Sequence, residues 1–201
     1  DDGPLKKNVK SHSFVGAQYH LLGLRSADRK QATINLLKTS ATLDLSVDDQ
    51  SQLVVRVTNV GAGHNLPTGV SDFRQLWLQI TVTDANGNQV LKTGALAPDG
   101  TLDPNARLFR NAFGDHSANI LGVDFFEYRK LIADTRIPAG GHRDEAFALP
   151  ADTAFPIQVD ARLMFRTFPQ SLTDAVRKRY PKMPAPEAVE LNHLAKTLGG
   201  T

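Results

Sequence analysis

The apolar positions along the chain recur with a helical period at its start and with a strand period through its middle. Between residues 14 and 39 they return every three or four residues, which predicts a short helical segment. A break near residues 25–28 divides this segment, and Ser26 is the predicted N-cap of its second half. The residues that carry the helical pattern are Val15, Tyr19, Leu22, Ala32, Ile34, Leu36 and Leu37.

From residue 41 the pattern changes to alternation of apolar and polar residues, which is typical of β-strands. The alternation is most regular over 156–168, and the Asn86-Gly87 pair is a strong hairpin signal. The predicted strands are 41–47, 53–59, 76–84, a return strand after Gly87, 106–113, 123–137, 146–149 and 156–168.

Seven to nine short strands separated by turn residues predict a mainly β protein, an immunoglobulin-like or fibronectin-like β-sandwich with short helices at both ends. We divide the chain into an N-terminal helical segment (1–40), a β-sandwich domain (41–168) and a C-terminal helical tail (169–201). In that tail, the segment QSLTDAVRKRY (170–180) predicts a helix. The segment AVELNHLAKTLGG (188–200) is interpreted as a last amphipathic helical turn or two.

The connector GAGHNLPTG (61–69) between two predicted strands is rich in glycine and proline and holds His64. Glycine permits positive φ and proline fixes φ, so we expect this loop to present the imidazole in a set direction. Loops carried by a rigid scaffold are common sites of function. The connector is therefore the first candidate for a functional site.

The composition limits the chemistry that this chain can perform. Its 201 residues include no cysteine, which excludes disulfides, thiolate metal sites, cysteine nucleophiles and covalent attachment of c-type haem. A net charge of +2 without a basic, aromatic-rich patch argues against nucleic acid as a partner. The sequence has no apolar run of about eighteen residues, so it predicts no transmembrane helix. Nucleophile elbow, phosphate-binding and EF-hand motifs are missing, so we expect no enzymatic activity.

Histidines are the remaining candidate metal ligands, and six are present: His12, His20, His64, His116, His142 and His193. The pattern around His12 and His64 leaves two interpretations open, ligation of a metal or haem iron and ordinary capping or carbonyl bonding within a turn. His116 is a candidate third ligand of a mononuclear site. His20 is interpreted as a ligand or as a surface residue, and we expect His142 and His193 at the surface.

The stretch VTNVGAGHNLPTGVSDFRQLWLQITVTDANGNQV (57–90) resembles a module of secreted multihaem c-type cytochromes, in which a β-rich domain follows a region of CxxCH haem motifs. Four other segments resemble the same family in the same order, so the resemblance runs from Lys10 to Pro169. They are SHSFVGA, ARLFRNAFGD, TRIPAGG and VDARLMFRTFP.

The resemblance implies a non-catalytic β-sandwich of an electron-transfer assembly. This module would pack on haem c held by a cytochrome partner or by an N-terminal region beyond this chain. Most irons in such cytochromes have two histidine ligands, so the resemblance implies His12 and His64 as axial ligands of haem iron, with bracing of its own loop as the other role for His64. It also implies a periplasmic or extracellular location and an arrangement of several subunits.

Two other functions stay open at this point. One is an interaction or adhesion sandwich without any metal. The other is a mononuclear metal site built from His12, His64 and His116.

Overall fold

Thirteen short elements follow one another in the fold, which we describe from a computed structural model that covers residues 15–72, 74–117, 125–127 and 130–200. Strands predominate, as the alternation predicts, and a 3₁₀ turn lies at Phe125–Glu127. The helices and strands are α1 (Tyr19–Gly23), α2 (Ala27–Lys38), β1 (Ala41–Val47), β2 (Leu53–Asn59), β3 (Gln75–Thr83), β4 (Gln89–Thr93), β5 (Asn111–Gly114), β6 (Lys130–Asp134), β7 (His142–Phe147), β8 (Ile157–Arg166), α3 (Gln170–Arg177) and β9 (Val189–Leu198).

The strands form two antiparallel sheets and one hairpin. The first sheet has the order β1-β2-β7, the second has the order β4-β3-β8-β9, and β5 pairs with β6 alone. With the β5–β6 hairpin taken as an insertion, β1, β2 and β7 occupy positions A, B and E of an immunoglobulin-type sandwich. Strands β3, β8 and β9 then occupy positions C, F and G. The predicted fold class, a mainly β sandwich with short helices, is confirmed.

The core lies between the two sheets, because each central strand turns alternate apolar side chains inward. Full burial of such a side chain contributes about 1.5–3 kcal/mol to the free energy of unfolding. The side chains that β2, β3 and β8 contribute to this core are Leu53, Val55, Val57, Leu76, Leu78, Ile80, Val82, Ile157, Val159, Ala161, Leu163 and Phe165.

The two N-terminal helices pack on one end of this core. The Ser26 hydroxyl accepts a hydrogen bond of 3.3 Å from the Arg29 N–H, which confirms the predicted N-cap of α2. Tyr19 is fully buried, its ring meets the edge of Phe165, and its hydroxyl donates to the Glu187 carbonyl. These contacts join the start of the chain to the segment that leads into β9.

The prediction of a helix at 188–200 is wrong, because this segment forms strand β9. It pairs antiparallel with β8 from Val189 opposite Phe165 to Leu198 opposite Ile157. A bulge near Leu163 shifts the register, and it interrupts the two-residue alternation that marks a strand in sequence. The tail at 169–201 is therefore helical only in α3, and β9 belongs to the larger sheet.

Smaller differences concern the strands on either side of the β5–β6 hairpin. The predicted strand 106–113 contributes one isolated bridge, Leu108 to Trp77, before β5 begins. The predicted strand 123–137 lies partly outside the described residues, and β6 is its strand portion. Strand β7 begins at His142 instead of residue 146. Among the helices described, none has the length and apolar character needed to span a membrane.

Candidate functional site

A cavity of about 430 Å³ opens beside the connector at 61–69. Its walls are mainly apolar and come from the chain before α1, the end of α2, the connector, and single residues of β3, β8 and β9. The lining residues are Val15, Gly16, Ala17, Leu36, Leu37, Thr39, Ser40, Gly61, Ala62, Gly63, His64, Leu66, Pro67, Thr68, Arg74, Leu76, Phe165 and Leu191.

Asn59, the last residue of β2, closes the connector into a fixed turn. It is 1% exposed, and its Nδ2 donates a hydrogen bond of 2.8 Å to the His64 carbonyl. Its Oδ1 accepts one of 3.0 Å from the Ala62 N–H. Asn59 is not among the site residues predicted from the sequence. The available signal is an asparagine at a strand end directly before a glycine-rich segment, since asparagine side chains commonly bond the backbone of turns.

The second half of the connector is held by backbone pairing with the segment before β7. Leu66 and Ile137 exchange two hydrogen bonds, each 2.8 Å long, and both side chains are buried. The Leu66–Pro67 peptide bond is cis. His64 therefore lies between two anchors, the Asn59 amide on one side and the Leu66–Ile137 bridge on the other.

The glycines of the connector have different roles. Gly69 has φ +76°, as expected for a glycine that supplies a left-handed turn. Gly61 instead permits a close approach, because a Cβ there would lie 2.1 Å from the Thr39 carbonyl oxygen. Gly63 has no atom within 4 Å of such a Cβ and no positive φ. The expectation of positive φ thus holds for Gly69 alone among these three.

The His64 ring is exposed, and its Nδ1 lies 3.0 Å from the Asn65 carbonyl oxygen. A carbonyl oxygen only accepts, so Nδ1 carries the proton and donates. In the neutral imidazole with this tautomer, Nε2 holds the lone pair that ligates a metal. A carbonyl partner on the other ring nitrogen is also the usual way in which proteins orient a ligating histidine. The geometry thus meets two requirements of an axial ligand.

The described residues place neither of the other two predicted ligands, His12 and His116, at the cavity. His12 lies outside the described residues, although Val15, three residues later, lines the cavity. His116 is exposed after β5 and does not line the cavity, and in the described ranges no three or more His, Asp or Glu side chains form a metal cluster. Since His12 is not described, the mononuclear site stays a hypothesis.

The remaining histidines divide between surface and interior. His142 and His193 are exposed, as predicted, and the His193 Nε2 lies 2.8 Å from the Asp160 carboxylate. The surface interpretation of His20 is wrong, because this side chain is only 8% exposed. It packs edge-on against Phe168 with ring centroids 5.5 Å apart. None of the three lines the cavity.

Arg74, which the sequence analysis also misses, brings a positive charge to the cavity wall. Its guanidinium lies against Gly69, where a Cβ would be 3.3 Å from Nη2. Burial lowers the pKa of Arg74. Within the part of the chain that the structure describes, no acceptor or carboxylate pairs with this guanidinium.

No protein-family model matches the sequence, and no curated protein matches it. A similar solved structure is the penta-heme cytochrome c552 from Thermochromatium tepidum, with 22% identity and a TM-score of 0.56. The match covers 82% of this chain and 41% of the cytochrome, so the chain spans less than half the length of that protein. At this identity the likeness is one of fold. The chain therefore shares its fold with part of that cytochrome.

Proposed function

We propose that this chain is a non-catalytic β-sandwich unit of a multihaem cytochrome assembly. It covers a c-type haem that is held by a partner chain or by a part of the same protein beyond these residues. The observation that carries the proposal is the His64 imidazole at the wall of a mainly apolar cavity, with its Nδ1 bonded to the Asn65 carbonyl and its Nε2 left for a ligand. The fold shared with a penta-heme cytochrome supports the same context.

The cavity has the size and lining that such a role requires. At about 430 Å³ it can take part of a macrocycle, and its apolar walls exclude water from the side that they cover. Exposed apolar side chains extend this surface at Leu36, which lines the cavity, and at Val60 and Val70, which flank the connector. Exposed apolar side chains beside a cavity are expected at an interaction site.

A second imidazole at the iron would complete its coordination and exclude exogenous ligands from that position. Axial ligands, hydrogen bonds to them and burial are the means by which a protein sets a haem potential. The Asn65 carbonyl, which accepts from His64 Nδ1, is such a hydrogen-bond partner. We place the assembly in the periplasm or outside the cell, in keeping with the resemblance to secreted cytochromes.

A haem c peptide with one histidine ligand and an open sixth position is a suitable probe. We expect the purified chain to convert its high-spin spectrum to a low-spin, bis-imidazole one. His64→Ala removes this change, whereas His142→Ala, which alters an exposed histidine outside the cavity, retains it. His12→Ala tests the other candidate ligand.

Each result has a definite meaning. If His64→Ala binds the peptide with the wild-type spectrum and affinity, His64 is not the ligand. If only His12→Ala loses the low-spin spectrum, His12 is the ligand and His64 braces its loop. Failure of the wild-type chain to bind the haem peptide at all contradicts the haem proposal and favours the metal-free interaction sandwich.

A further inference from the structure

A single guanidinium, that of Arg74, lies in the wall of an otherwise mainly apolar cavity. We infer that Arg74 is an anion-binding group and that the cavity takes a ligand with an apolar body and a carboxylate, which pairs with Arg74. If the ligand is haem, the carboxylate is one of its propionates. That assignment of the ligand as haem rests on the proposed function.

The half-buried position of Arg74 has a cost in the free chain. A guanidinium withdrawn from water is unfavourable unless it is paired with an anion or fully hydrogen-bonded. Burial lowers the pKa of Arg74, and no opposing contribution from a carboxylate accompanies it. Among the described residues nothing supplies the missing acceptor, so an external anion would satisfy it.

Arg166, which is more deeply buried than the half-buried Arg74, offers a comparison. Arg166 is 2% exposed, and its Nε and Nη2 donate to the Gln75 side-chain oxygen at 2.8 and 2.5 Å. Its Nη1 donates to the Gly100 carbonyl at 2.8 Å. An arginine that serves the fold is thus provided with acceptors. Arg74 is not, which distinguishes a ligand-binding role from a structural one.

The geometry of the cavity wall also favours a ligand-binding role. The Arg74 guanidinium lies beside Gly69, where an added Cβ would stand 3.3 Å from Nη2. The same connector carries His64, and both side chains line one cavity. A planar guanidinium pairs best with a carboxylate through two parallel hydrogen bonds. The site therefore offers a ligand one imidazole from the connector and one guanidinium from the residue directly before β3.

Two iron porphyrins distinguish the contribution of the carboxylate: ferric mesoporphyrin with free propionates, and its dimethyl ester. We expect the wild-type chain to bind the free acid about tenfold or more tightly than the ester, since a charge-assisted pair is lost. Arg74→Gln abolishes this preference, and Arg74→Lys retains part of it. Arg25→Gln, an exposed arginine outside the cavity lining, keeps the wild-type preference.

The second arm of the experiment uses a fatty carboxylate, dodecanoate, and its methyl ester. It tests this inference independently of the haem proposal. If no porphyrin binds but dodecanoate binds in an Arg74-dependent manner, the inference stands and the haem proposal fails. If both porphyrins bind equally to the wild type, or Arg74→Gln keeps the preference, the inference fails while the haem proposal survives. Binding of none of the four compounds overturns the inference.

The folding of the variants is checked in separate measurements. Circular dichroism and thermal unfolding confirm that Arg74→Gln is folded before binding is compared. The acid-to-ester ratio of the wild-type chain needs no variant, so equal affinities for the two forms contradict the inference even if Arg74→Gln does not fold.

Discussion

The Asn59 side-chain amide donates a 2.8 Å hydrogen bond to the main-chain carbonyl of His64, five residues along the chain. Because Asn59 ends strand β2 and is 1% exposed, this bond ties an exposed imidazole to the rigid interior of the sandwich. The backbone of the candidate ligand is thus held by a residue that does not line the cavity.

Asn59→Ala is expected to lower the free energy of unfolding by about 1–3 kcal/mol, because it leaves the Ala62 N–H and the His64 carbonyl without their partner. Urea unfolding followed by circular dichroism measures the loss. Asn86→Ala, in an exposed turn, is the matched control and should change stability by no more than about 0.5 kcal/mol. Equal stability of the two variants would falsify the anchoring role.

Gly61→Ala is expected to destabilise the chain by about 1–3 kcal/mol, since overpacking forces the backbone at Thr39 to move. Gly63→Ala, two residues away, introduces a Cβ into open space. Its free energy of unfolding should be within about 0.5 kcal/mol of the wild-type value. Thermal unfolding of both variants makes the comparison. A Gly61→Ala melting temperature equal to that of Gly63→Ala contradicts the close approach to α2.

Local patterning is sufficient to predict much of this fold. Strands β1 and β2 have the predicted bounds, and β3 and β8 differ from the predictions by one or two residues, because their alternation is regular. Strand β9 could not be predicted this way. Leu191, Leu194 and Leu198 have helical spacing, and only pairing with a partner strand more than twenty residues earlier makes the segment extended.

The site was predictable in part. Glycine and proline identify GAGHNLPTG as a connector that fixes one histidine. Neither Asn59 nor Arg74 could be singled out, because each acquires its role from residues that the fold brings near it. In the sequence, Arg74 is an ordinary charged residue before a strand. Only the fold shows that it lies beside Gly69 and lines the cavity.

His20 is expected to make stability depend on pH near neutrality. Burial lowers its pKa from the ordinary value of 6.5, with Lys30 acting in the same direction and the Pro184 carbonyl and Glu187 against it. The unfolded chain therefore binds more protons than the folded one, and stability is lost as pH falls below about 6.5. Carboxyl groups titrate near pH 4 and do not enter this range.

The measurement is urea unfolding of wild type and His20→Gln at several pH values between 7.5 and 5.5. The free energy of unfolding of the wild type should fall more steeply with acidification than that of the variant. The remaining histidines are common to both proteins, so their contributions cancel in the comparison. Identical slopes would mean that His20 does not contribute.

Leu191→Ala is expected to lower the free energy of unfolding by about 2–5 kcal/mol, because this side chain is 4% exposed and belongs to the core. Thr197→Ala, at an exposed position of the same strand, is the control. Chemical denaturation of both variants tests whether β9 is integral to the sandwich. A loss below about 1 kcal/mol for Leu191→Ala would fit a peripheral tail instead.

Trp77, the single tryptophan of the chain, is fully buried outside the inter-sheet core, and its Nε1 donates to the Gly94 carbonyl at 2.8 Å. Its surroundings belong to the segment between β4 and β5, to which it is bridged at Leu108. This chain therefore carries one tryptophan fluorophore, in a defined environment. Porphyrins absorb at the wavelengths where tryptophan emits, so arrival of a haem would quench Trp77 by energy transfer, and the unlabelled chain would report its own docking.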